Sequence, residues 1–210
     1  MRKRKTTLWK MIIAIVIIVV AGISLLISLT HWSAVDLINS PVSLLVPEHS
    51  ENYEKVIFKV LAKETDGFPQ VITPEFMKKE GLVSILHGSM SEETNGLFES
   101  FVANTSEGKA AQIIIAVFTT EGDPIYMNVL FDRVRYLAVI DRTRDRFKGD
   151  YENNENLRYD HLKIFTNPET GSQFVILTND ADLTYEELKI AQIGSNMECI
   201  DSFQLFSYSK

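Results

Sequence analysis

Cysteine is almost missing from these 210 residues: Cys199 stands alone, so no internal disulfide can form. A leftover thiol in an exported protein can pair with another chain. The favoured reading of Cys199 is a small buried hydrophobe. Also missing are the G-x-S-x-G, H-E-x-x-H, P-loop and Rossmann glycine patterns. Their absence removes the most recognisable hydrolase, metalloprotease and nucleotide-binding designs. Glycine and proline are sparse, at 10 and 6, and no repeat or low-complexity tract occurs. Metal-ligand spacing is lacking too, since His87 and His161 lie far apart and read as lone structural histidines. The run "DYENNEN", residues 150–156, alternates acids and amides but lacks the central glycine and closing glutamate of a calcium loop. It reads as a solvated loop. No cofactor is assigned.

Positive charge is scarce after residue 10. Arg2, Lys3, Arg4, Lys5 and Lys10 are five of the 21 basic residues, and the other 16 face 28 acidic ones, all beyond residue 30. Residues 31–210 thus carry about −12. Nucleic acid is excluded as the expected partner, because phosphate is repelled by an acidic surface without a basic cluster. Small cations or basic proteins fit better.

One segment lacks charge altogether. Met11 to Leu29, "MIIAIVIIVVAGISLLISL", is 19 residues long. As a helix it would cover about 29 Å, the thickness of the hydrocarbon core. Trp9 and Trp32, the only tryptophans, flank it where interfacial aromatics belong. All nearby positive charge is N-terminal, so the basic tail 1–10 is expected in the cytoplasm and the C-terminal part outside the cell. A cleaved signal peptide would have a shorter apolar region and a small-x-small site. An uncleaved, single-pass anchor over residues 11–30 in the cell membrane is the expectation, with the lipid bilayer as its partner.

Residues 31–49, with two prolines and no period, read as a juxtamembrane connector. From residue 50 to 210 the patterning is that of one extracytoplasmic α+β domain. Tyr53, Val56, Ile57, Val60 and Leu61 mark one helical face after a Ser50 cap. Thr73-Pro74 opens a second helix that Gly81 stops. Ser89 or Ser91 caps a third, with Leu97, Phe98, Phe101 and Val102 as its buried stripe. Then come strands at Ile113–Phe118, Ile125–Phe131 and Val134–Ile140, and a hairpin of His161–Thr166 with Ser172–Thr178. Thr184 and Glu187 cap a short helix near the end, and "FQLFSY" adds an edge strand. The fold class expected is α+β: a transmembrane helix, then helices, then a mainly antiparallel meander of about five strands.

The most unusual run is "TTEGDPI", residues 119–125. If the three central strands zigzag, this turn and the later "DRTRD", residues 141–145, emerge at one end of the sheet. Glu121 and Asp123 would then face Asp141, Arg142, Arg144 and Asp145. Three readings stay open. The charges tie two loops together; they form a mixed-charge ligand site for a cation or an anion; or a carboxylate pair carries catalysis.

The runs "LHG", "LFESFVANTSEGKAAQIIIAVFTTEGDPI" and "DRTRD" resemble an uncharacterised domain family of Bacillus-type Gram-positive bacteria, many of whose members look like exported lipoproteins. In that family T-x-E-G-D-P-I follows a helix and a Gly-Lys pair, here Gly108-Lys109. The resemblance spans about Leu82 to Thr178. It implies an outward-facing surface domain and carries no activity over. The chain departs from the family in three ways: it has no lipid-attachment cysteine after the apolar run, Asp132-Arg133 replaces an Asp-Gly turn, and no cysteines stand near the last strands.

The functional expectation is a membrane-anchored extracytoplasmic binding or interaction domain that is not an enzyme. Its partner would be an envelope protein or a small cationic ligand. The alternative is a carboxylate- or cation-dependent hydrolase of envelope material.

Overall fold

The structure is a computed structural model that describes residues 33–39, 51–193 and 200–209. The apolar run 11–29, Trp9, Trp32, Ser50 and Cys199 lie outside the described residues. Among those described, no helix is long and apolar enough to cross a membrane.

Five helices and nine strands are described: α1 (Ala34–Asn39), α2 (Glu51–Thr65), α3 (Pro74–Glu80), β1 (Leu82–Leu86), β2 (Ser89–Met90), α4 (Glu92–Ser106), β3 (Ala111–Phe118), β4 (Pro124–Phe131), β5 (Tyr136–Asp141), β6 (Asn154–Tyr159), β7 (His161–Thr166), β8 (Gln173–Thr178), α5 (Tyr185–Ile193) and β9 (Ser202–Tyr208). The expected α+β class with a largely antiparallel meander holds. The expected count of about five strands does not, since nine are described. They form two sheets, a six-stranded one ordered β2-β1-β3-β4-β5-β6 and a three-stranded one ordered β7-β8-β9.

Two features escaped the sequence pattern. Strand β1 runs parallel to β3, with Leu82 opposite Ile114. A parallel neighbour needs a crossover, and α4 supplies it. Strand β6 starts at Asn154, inside the acid–amide run read as a loop, and pairs Glu155 with Ile140. Its alternate residues are exposed, so its polar side chains follow the period of a half-covered strand.

Local signals explain the helix ends. The Thr73 hydroxyl accepts from the Phe76 amide at 3.2 Å, and Gly81 leaves α3 in the left-handed region at φ 64°. The Thr184–Glu187 capping box closes reciprocally: Glu187 accepts from the Thr184 amide at 2.9 Å, and the Glu187 amide donates to the Thr184 hydroxyl at 3.3 Å. At α4 the cap is Ser91 and not Ser89, which belongs to β2. Two residues, His87 (φ 50°) and Gly88 (φ 73°), turn β1 into β2. Positive φ at both is the signature of the tight hairpin turn, and this is the structural role of His87.

Period-two alternation then sorts the central strands onto two faces. Val83, Ile85, Ile113, Ile115, Met127, Val129, Ala138 and Ile140 bury one face against Phe98 and Phe101 of α4 and against Val175, Leu177, Leu205 and Phe206 of the second sheet. Leu130, Leu137 and Val139 bury the opposite face under Tyr53, Ile57 and Leu61 of α2 and Ala34 and Ile38 of α1. Each fully buried aliphatic side chain contributes about 1.5–3 kcal/mol, so this double-faced sheet is the stable centre. Val56 and Leu97, expected in the buried stripes of α2 and α4, are largely exposed, at 49% and 43%.

Candidate functional site

The β3–β4 and β4–β5 pairs are both antiparallel, with Phe118 opposite Pro124 and Tyr126 opposite Asp141. The heptad loop and the arginine-bearing loop therefore share one end of the sheet. Within the heptad, Gly122 (φ 85°) supplies the left-handed turn. The Thr119 hydroxyl accepts from the Asp123 amide at 3.1 Å. This holds the Asp123 carboxylate inward, where it is 2% exposed.

Asp123 meets a residue that the pattern did not single out. Arg146 donates to it from Nη2 at 2.8 Å, from Nε at 3.1 Å and from its backbone amide at 3.0 Å. Gln70 adds a fourth donor at 2.8 Å and also donates to the Arg144 carbonyl at 2.7 Å. The Arg146 side chain, then its backbone amide, hold the Asp123 carboxyl below its ordinary value of 3.8 against the opposing effect of burial.

Asp141 and Arg144 form a second, deeper tie. Asp141 ends β5 and accepts from Arg144 Nη1 at 2.5 Å, from the Thr143 hydroxyl at 2.6 Å and from the Thr143 amide at 2.9 Å. The rest of the Arg144 guanidinium donates to the carbonyls of Thr65 and Phe68, each at 3.0 Å. These are carbonyls at and just past the end of α2, left without intrahelical donors, and a cation there also favours the helix dipole. Arg144 lies over Tyr126, whose hydroxyl donates to the Pro69 carbonyl at 2.7 Å. Desolvation pushes the Tyr126 hydroxyl up to about 12, with Arg144 opposing the rise and Asp141 adding to it.

The remaining expected residues are used locally. Arg142 pairs with Glu155 at 2.8 Å and stacks on Tyr151. Asp145 accepts from the Phe147 amide two residues on, a turn-forming bond. Glu121 is exposed and, among the described residues, accepts only from its neighbour Thr120 at 3.0 Å. The loop pair is thus built as a tie. Of the six expected residues, Glu121 alone is left without a contact that organises the loops. Among the described residues, no cluster of three or more His, Cys, Asp or Glu side chains could hold a metal ion.

A second locus lies where β3 begins. Strand β1 starts opposite Ile114, so among the described residues Ala111–Ile113 have a strand partner only on the β4 side. Beside this notch is a cleft of about 610 Å³, walled by α1, α2, the α3–β1 turn, α4 and β3. Phe68, Leu97 and Phe101 make its apolar walls, and Glu64, Glu80 and Gln112 its polar lining. Glu64 accepts from the Ala34 amide at 3.0 Å, from Asn128 Nδ2 at 2.8 Å and from Gln112 Nε2. Gln112 also donates to Asn128 Oδ1 at 2.8 Å, and the fully buried Asn128 donates to the Leu61 carbonyl at 3.0 Å. Among the described residues, the lining contains no basic side chain.

Sequence comparison reaches this geometry only in part. Residues 79–173 match the model of DUF4362, a domain of unknown function. This match runs from the end of α3 to the first residue of β8. It contains the heptad, the second loop, Glu80 and Gln112, and it omits Glu64 and Gln70. No curated protein and no solved structure matches the chain.

Proposed function

We propose that this protein is a single-pass, membrane-anchored binding protein whose domain, residues 50–210, faces outward and recognises a ligand or an envelope protein without transforming it. The carrying observation is that both buried carboxylates of the charged loop pair are paired with arginines, Asp123 with Arg146 and Asp141 with Arg144. A general acid or nucleophile needs a carboxylate free to exchange a proton or attack. The paired rim counts against the hydrolase alternative, and the apolar-walled cleft beside Glu64 is the better place for a ligand. The anchor reading is supported by the uncharged 19-residue run, its one-sided basic flank and the bordering Trp9 and Trp32. The resemblance to outward-facing Gram-positive surface domains points the same way.

The test is made on intact cells carrying the full chain. A membrane-impermeant amine reagent should label the domain without lysis, and the chain should stay with the membrane in alkaline carbonate. Labelling only after lysis, or release by carbonate, overturns the reading.

A further inference from the structure

We infer that the cleft at the start of β3 binds a primary ammonium group, with Glu64 as the anchoring carboxylate and Glu80 as a second. The inference rests on the binding-domain reading above and adds the site and the ligand chemistry to it. Four carboxylates brace the sheet's second face and the adjoining rim. Glu54 pairs with Arg135 at 3.0 Å, Asp123 with Arg146 and Asp141 with Arg144. Glu64 is the exception: its donors among the described residues are a backbone amide and two side-chain amides, all neutral. These bonds orient the carboxylate without neutralising it. A half-buried charge among apolar walls is costly until an opposite charge joins it.

The spare capacity lies toward the cleft's contents. Oε2 takes both side-chain amides, whereas among the described residues Oε1 takes only Ala34 N–H, leaving one lone pair for another donor. Glu80 lines the same cleft, and its pairing with Lys79 at 2.6 Å is an exposed contact that contributes little. An anion would find no cation in the described lining. A compact ammonium, with three donors on one charged centre, suits a cleft lined by the carboxylates of Glu64 and Glu80. Phe68, Leu97 and Phe101 suit the carbon chain that carries it.

Two sources could present that chemistry. Ser33 lines the cleft, and only residues 30–32 separate it from the apolar run, a reach of at most about 14 Å. An anchored chain would thus hold the cleft close to lipid headgroups, including amine-bearing ones. A soluble alkylamine is the other source.

The experiment uses the isotope-labelled full chain in lipid nanodiscs, read by NMR at Gln112 and Ile114. Propylammonium chloride, titrated at constant ionic strength into phosphatidylglycerol discs, should shift these signals saturably, and propanol should not. Glu64→Gln should weaken the effect at least tenfold. Because that change also perturbs the amide network, Ser100→Arg is the second variant. It sets a tethered guanidinium in the cleft from the exposed side of α4 and should abolish the shift while the rest of the spectrum stays native. Signals already in the bound position in phosphatidylethanolamine discs assign the ammonium to a lipid headgroup; signals in the free position there assign it to a soluble amine. No saturable shift in either disc, or one that survives both substitutions, overturns the inference. Surface labelling tests the anchored reading separately, so the failure of either is recognisable.

Discussion

Arg144 offers the sharpest test of how the loops and helices are joined. Its side chain is 12% exposed and that of Asp141 only 4%, so their pair is shielded from water. Arg144→Met keeps an apolar body over the Tyr126 ring but removes every donor. Asp141 would retain the Thr143 hydroxyl and amide, and the Thr65 carbonyl would keep the Phe68 amide, while the Phe68 carbonyl would lose its Arg144 donor. Breaking a buried pair from one side costs about 3–5 kcal/mol, because a charge is left without compensation. With a urea dependence of about 2 kcal/mol per molar, the unfolding midpoint should fall by about 2 M. Far-UV circular dichroism of the full chain in detergent would follow it. Adding Asp141→Asn removes the stranded charge and keeps an acceptor for Thr143, so the double variant should be more stable than Arg144→Met alone. Arg144→Lys should fall between them, since one ammonium cannot serve a carboxylate and two carbonyls in the fork geometry. A single-variant loss below about 1 kcal/mol, or a double variant no better than the single one, would refute the pairing as described.

Two further outcomes concern pH. Asp123 is held below its ordinary value by Arg146, so its contribution is present above pH 3.8 and is lost as pH falls through the depressed folded value. Urea midpoints measured down this range should drop more for the unaltered chain than for Arg146→Gln, and equal slopes would contradict the tie. Tyr126 is raised from 10.0 to about 12, so its contribution is complete below pH 10.0 and is lost as pH rises toward the folded value. Burial also raises Tyr136, Tyr159 and Tyr208. A near-ultraviolet titration of tyrosinate should therefore show several late-ionising groups, and Tyr126→Phe should remove one of them; an undiminished late amplitude in the variant would refute the assignment.

Local chemistry was enough for much of the architecture. The Thr73 and Thr184 caps, the Gly81 and Gly122 turns, and the apolar runs of β3, β4, β5 and β8 each depend on residues within a few positions of one another. Strand alternation then placed the two charged loops at one end of the sheet, since antiparallel neighbours reverse direction at every turn. Arg133, at φ 82°, shows the limit of such reasoning. The turn spans Asp132–Arg135, and it forms without glycine because the Asp132 carboxylate accepts from the amides of Val134 and Arg135.

What only the tertiary structure decided is which charges meet. Gln70 reaches Asp123 across 53 residues, Arg144 reaches Thr65 across 79, and Glu64 reaches Asn128 across 64. No period or cap relates such pairs. Their positions depend on how α2 crosses the sheet and on the parallel insertion of β1 beside β3. The sequence alone therefore determined the anchor-like run, the helix ends and the common rim. Packing decided that the rim's buried carboxylates are neutralised by arginine and that Glu64 is not, because solvation and pairing depend on distance in space and not along the chain.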